Sequence, residues 1–163
     1  MRRYATLLPL VLLASCEERR KPPAALWFEG LPVRGSAAEA QAAGFTRCGT
    51  VGRSLRCRRE GVMVAGKGPY AAAVDLLYSD GSGGFDQLTV WDDRDQSAVN
   101  AVGTLLESQG WQLCRTGLDD NRGDQAIYTK AGVPVRFSID LSYWGKRRLR
   151  ILPETNQPKG KCW

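Results

Sequence analysis

The chain has 163 residues, 43% of them apolar and 25% charged, with a formal net charge of +6 and no histidine. This length supports one ordinary domain with its own core, and the apolar content excludes a disordered chain. Without histidine, Ser-His-Asp and Cys-His catalysis and histidine-ligated metal centres are excluded, and the basic excess is too small to indicate nucleic-acid binding.

In chain order, the sequence opens on Met1-Arg2-Arg3-Tyr4, runs almost wholly apolar from Ala5 to Leu13, and reaches Leu13-Ala14-Ser15-Cys16. A charged start, a short apolar run and small residues are the order of a secretory signal, and the run is too short to span a bilayer. The last four residues resemble the bacterial lipobox. That resemblance implies cleavage before Cys16, diacylglycerol on its thiol and loss of residues 1–15, which lowers the net charge to about +4. In that family an Asp after the cysteine retains the protein at the inner membrane. The residue here is Glu17, so the resemblance implies an outer-membrane anchor with the domain facing the periplasm. Residues 16–30, charged and then proline-rich, are expected to form a short tether, leaving residues 31–163 as a single domain.

The first helix signal is Ser36-Ala37-Ala38-Glu39, a capping-box sequence that leads through Ala43 to Gly44. Extended segments follow at about Phe45 to Cys48, Leu55 to Arg59, Ala71 to Tyr78 and Gln87 to Trp91, with Ser79 to Gly84 as a hairpin turn. A second, longer helix is expected with Asp95 as its cap, an apolar face of Ala98, Val102, Leu105 and Leu106, and Gly110 at its end. After it come Trp111 to Cys114, Ala126 to Lys130, Val135 to Tyr143 and Arg148 to Leu152, with a turn at Tyr143 to Lys146. Along Val135 to Leu141, apolar residues alternate with Arg136, Ser138 and Asp140, the pattern of a sheet with one wet face.

Short motifs recur between the two stretches. Gly44-Phe45-Thr46-Arg47-Cys48 matches Gly110-Trp111-Gln112-Leu113-Cys114, and Val74-Asp75-Leu76-Leu77-Tyr78 matches Ile139-Asp140-Leu141-Ser142-Tyr143, at spacings that agree to within one residue. A third echo joins Leu88-Thr89-Val90 to Leu149-Arg150-Ile151. The expected fold is therefore α+β: two tandem α-β-β-β-β repeats, about 31–96 and about 97–163, with helices packed on one face of an antiparallel sheet. This order is similar to the tandem repeats of the β-lactamase inhibitory protein family and, more distantly, to small lipoproteins of outer-membrane assembly. The sequence departs from that family in lacking a second-copy counterpart of Cys57 and in having one helix signal per copy instead of two. No binding residue is carried across.

Apart from Cys16, the cysteines are Cys48, Cys57, Cys114 and Cys162, an even number suited to an oxidising compartment. Three pairings are possible; Cys48 with Cys57 is preferred because they flank a glycine-containing turn, which leaves Cys114 for Cys162. No metal or other cofactor is expected. Asp92, Asp93 and Asp95 precede a helix and are read as capping residues. Asp119 to Asp124 has residue types of a calcium loop, but its glycine comes one position early and Lys130 stands where a bidentate Glu belongs, so it is read as a polar hairpin loop. Gly66-Lys67-Gly68-Pro69 lacks the spacing of a phosphate-binding loop. Two basic runs remain, Arg56-Cys57-Arg58-Arg59 and Lys146-Arg147-Arg148-Leu149-Arg150. On strands, Arg56 with Arg58 and Arg148 with Arg150 share faces, and adjacent copies would merge them into a patch for lipopolysaccharide phosphates, peptidoglycan carboxylates or an acidic protein. The opposing reading is that they solubilise and protect strand edges. The function expected is a noncatalytic envelope lipoprotein that presents a sheet surface to a protein partner; the alternative is a binding or inhibitor-like module for an anionic envelope component or a foreign enzyme.

Overall fold

Strand-length runs of alternating polarity dominate the computed structural model, which describes residues 20–116, 125–141 and 147–162. Cys16, the Asp119 to Asp124 loop and the Tyr143 to Lys146 turn lie outside the described residues. A hairpin of β1 (Leu26–Phe28) and β2 (Leu31–Arg34) comes first, then α1 (Ala37–Ala42) and four strands, β3 (Arg47–Val51), β4 (Ser54–Val64), β5 (Lys67–Leu76) and β6 (Leu88–Trp91). Next come α2 (Asn100–Ser108) and four more, β7 (Gln112–Thr116), β8 (Gln125–Thr129), β9 (Val135–Asp140) and β10 (Leu149–Pro153). The last eight strands form one sheet in the order β3-β4-β5-β6-β10-β9-β8-β7, every neighbouring pair antiparallel. The order is symmetric about the β6–β10 contact.

The expected α+β class, with helices covering one sheet face, is corrected. Strands make up 46% of the described residues and helices 12%, so the described fold is mostly β. Helices of six and nine residues are about 9 and 13 Å long, whereas eight strands spaced at about 4.8 Å make a sheet roughly 34 Å across. The helices are too short to cover it. The β1–β2 hairpin covers part of the remainder, with Leu31 and Val33 buried in the core and Phe28 meeting Trp111 and Phe137 edge-on at centroid distances of 6.3 and 5.8 Å. Residues 26–30, expected to lie in the tether, thus belong to the domain.

The expected cap of the second helix is corrected as well. Asp95 lies in a turn ahead of the helix, where its carboxylate accepts from the Ser97 amide and hydroxyl at 2.8 and 2.6 Å; α2 begins at Asn100 after Val99, with no side-chain cap. Asp92 serves the same turn by accepting from the Arg94 and Asp95 amides at 2.8 and 2.7 Å. The Asp95 and Arg94 amides hold the Asp92 carboxyl below its ordinary range, and the Ser97 hydroxyl and amide do the same for Asp95. At α1 the capping box forms as expected: the Ser36 side chain accepts from the Glu39 amide while Glu39 accepts from the Ser36 amide.

Both helices end in the same way. Gly44 and Gly110 take positive φ values of 85° and 79°, which a side chain would disfavour, and the next residue donates back to the carbonyl five positions earlier: Phe45 to Ala40 and Trp111 to Leu106, each at 3.0 Å. The aromatic is thereby driven into the core, where Phe45 is fully buried and Trp111 nearly so. Gly103 lets α2 approach the sheet, since a Cβ there would come within 2.4 Å of the Tyr128 hydroxyl. The core between these layers includes Val74, Leu88, Leu149, Ile151, Phe137 and Ile139.

Candidate functional site

The register of the sheet sorts its residues into two faces. One inward row runs Cys48–Cys57–Val74–Leu88–Ile151–Phe137–Tyr128–Leu113, and the next outward row runs Arg47–Arg58–Ala73–Thr89–Arg150–Ser138–Ile127–Cys114. Both disulfides are formed, Cys48–Cys57 across β3 and β4 and Cys114–Cys162 between β7 and the C-terminal segment. The rows put the first bond on the covered face and the second on the outer one.

Alternation along β4 and β10 brings Arg56, Arg58, Arg148 and Arg150 to the outer face, as the sequence suggested. Arg58 and Arg150 are three strands apart in one row, about 14 Å between backbones, with only Ala73 and Thr89 between them. Both small residues are buried, at 2% and 7% exposure, because the long side chains beside them stand over the sheet. The result is a shallow groove of about 130 Å³ lined by Arg56, Arg58, Thr89, Trp91, Asp93 and Arg148.

The four guanidinium groups are not equivalent. Arg56 is engaged bidentately by Asp75, with Nε–Oδ1 and Nη2–Oδ2 distances of 2.6 and 2.7 Å, and the bonded carboxylate raises its pKa further. Its charge is largely spent within the protein. Arg58 lies over the Trp91 ring with Cζ 5.8 Å from the centroid, a cation–π contact, and the indole Nε1 donates to Asp93 at 2.9 Å. Arg148 is exposed and makes no ion pair among the described residues. Arg150 is half-buried, and its Nε has no hydrogen-bond partner among the described residues. The groove therefore offers Arg58 and Arg148 to a ligand, with the Thr89 hydroxyl in its floor and Arg150 beside Thr89 in the same row. Sequence reasoning missed Thr89, Trp91, Ala73 and Asp75, which join the arginines only through strand register.

The outer face of β7 to β9 is closed. Residues 154–162 lie against it: Glu154 is buried, accepts from the Thr129 hydroxyl and from the Asn156 amide at 2.8 Å, and has Arg136 at 3.8 Å. The Gly160 amide donates to Thr129 at 3.1 Å, and the disulfide to Cys114 pins the end of the segment. Among the described residues there is no group of three or more Cys, Asp or Glu side chains arranged to hold a metal ion. No protein-family model matches the chain, and no curated protein or solved structure matches it either.

Proposed function

We propose that this chain is a noncatalytic lipoprotein of the bacterial envelope, anchored through Cys16, that binds an acidic ligand on the bare half of its sheet. The observation that carries this reading is the arginine groove. Arg58 and Arg148 line a floor of small side chains on an open sheet face, with Arg150 next to Thr89 in the same row, where oxyanions can be met by charge-assisted hydrogen bonds. Strand-edge protection explains them less well, because β4 and β10 are interior strands and have no edge to protect. The anchoring part rests on the lipobox-like Leu13 to Cys16 segment, and the noncatalytic part on the absence of histidine from the sequence.

Chemical crosslinking in intact envelopes, followed by purification of the lipoprotein, tests both parts. Mass spectrometry of the mature start should find a diacylglyceryl-modified Cys16, and the copurified material should be lipopolysaccharide or an acidic envelope protein. Arg148→Glu combined with Arg150→Glu should weaken recovery at least tenfold, since each lost charge-assisted contact is worth about 1.5–3 kcal/mol. Undiminished recovery would remove the groove from the proposal. An unmodified start at Cys16 would remove the anchor.

A further inference from the structure

One end of the sheet carries exposed apolar residues that the groove does not use. Val51, Leu77 and Tyr78 are 51%, 44% and 37% exposed. Register brings them together: Val51 pairs with Ser54, and the adjacent Leu55 pairs with Leu76, the residue before Leu77. The β3–β4 turn therefore sits beside the start of the β5–β6 connection. Arg53, in that turn, is exposed, and Arg20 and Lys21 line a hollow with Leu77, Gly84 and Asp86.

The N-terminal segment is fastened to this same end. The Arg20 amide donates to the Tyr78 hydroxyl at 3.4 Å, and Arg34 Nε donates to the Ala24 carbonyl at 3.0 Å. Pro22 and Pro23 lie so close over Gly84 that a Cβ there would meet them at 3.0 and 2.8 Å. From Cys16 to Arg20 the chain takes four Cα steps, which reach at most about 14 Å when fully extended. A lipid on Cys16 must then hold this end of the sheet close to the bilayer.

We propose that the β3–β4 turn and the start of the β5–β6 connection form a membrane-docking surface. Val51, Leu77 and Tyr78 enter the head-group region, while Arg20, Lys21 and Arg53 meet lipid phosphates. This rests on the anchoring of Cys16 proposed above. Asp80 and Asp86 share the loop, so the local basic excess is modest; the acyl chains supply affinity and the patch sets orientation. The strands then rise away from the membrane. The β4–β5 hairpin stands about 30 Å up the sheet, and the Trp91–Arg148 end of the groove about 17 Å up, at about 3.3 Å per residue, where it opens to ligands in the aqueous space.

The test uses the full mature lipoprotein in vesicles of phosphatidylethanolamine and phosphatidylglycerol, compared with the same protein in uncharged detergent, by hydrogen exchange. Amides of residues 51–54 and 77–84 should exchange about fivefold more slowly on vesicles, with the 65–66 hairpin unchanged. The variant Val51→Asp, Arg53→Glu, Leu77→Asp should still pellet with vesicles but lose that slowing. Wild-type protein that pellets without slowing overturns the docking surface and leaves the anchor standing, whatever the variant does. Slowing that appears only when other envelope proteins are added also overturns it. Protein that fails to pellet and carries an unmodified Cys16 overturns the anchor, and the docking surface with it.

Discussion

The two halves of the large sheet use the same order of elements but present opposite surfaces. Each begins with a helix closed by Gly and a buried aromatic, continues through four antiparallel strands, and meets the other at β6 and β10. On the outer face, however, the first half shows Arg47, Arg56 and Arg58, and the second shows Ile127, Ser138 and Cys114 beneath the C-terminal segment. A one-residue difference in register accounts for part of this. Cys48 and Cys114 hold the same place after the Gly–aromatic pair, yet Cys48 falls in the inward row and Cys114 in the outward row, because neighbouring residues of a strand face opposite ways. One disulfide therefore closes a local hairpin, and the other draws the chain end over the sheet. A repeated order of elements does not impose a repeated surface.

The disulfides give the largest test of that contrast. Replacing Cys114 and Cys162 by Ser opens a link across a sequence separation of 48 and should cost about 4 kcal/mol, while the same change at Cys48 and Cys57, separated by 9, should cost about 3. Urea unfolding ranks the two variants, and a larger loss from the local pair would contradict the contrast. Hydrogen exchange should also find the Gly160 amide deprotected only in the first variant.

Helix packing distinguishes the halves next. Gly103→Ala places a methyl against the Tyr128 hydroxyl and should destabilise by about 1–3 kcal/mol despite the better helix propensity of alanine; stabilisation in thermal unfolding would mean that Tyr128 yields. In the first half, Ser36→Ala should cost about 1 kcal/mol through loss of the cap. Hydrogen bonds from the Ser36 amide and hydroxyl hold the Glu39 carboxyl below its ordinary pKa. That contribution is present above the unfolded-state value and is lost as pH falls through the lower folded-state value. The stability difference between wild type and Ser36→Ala should accordingly narrow in acid, and a difference independent of pH would exclude a contribution from the bond between the Ser36 hydroxyl and the Glu39 carboxylate. The smallest effect is expected at the exposed Arg47–Glu60 ion pair: Arg47→Ala should change the stability measured by urea unfolding by no more than about 0.5 kcal/mol.

Much of the local structure was legible. The Ser36–Glu39 box, the glycines that end both helices and the alternation of Val135 to Ile139 act within a few residues of sequence, so their patterns survive in one dimension. The fold class was misread because α1 and α2 have helix signals out of proportion to their lengths, and because Leu26 to Phe28, after a run of prolines, reads as a tether until β2 pairs with it. In the candidate site, the outward arginines follow from alternation alone. Trp91 beneath Arg58, Asp75 on Arg56 and the buried floor of Ala73 and Thr89 depend on which strands adjoin.

By itself, then, the sequence determined the helix stops, the alternation of faces along each strand, and the local Cys48–Cys57 pairing, since all of these follow from backbone geometry at short range. Only the tertiary structure decided which arginines remain available, which half of the sheet is covered, and which end receives the N-terminal segment. Those outcomes depend on the register and order of strands far apart in the chain, and a one-residue change of register moves a whole row of side chains to the other face.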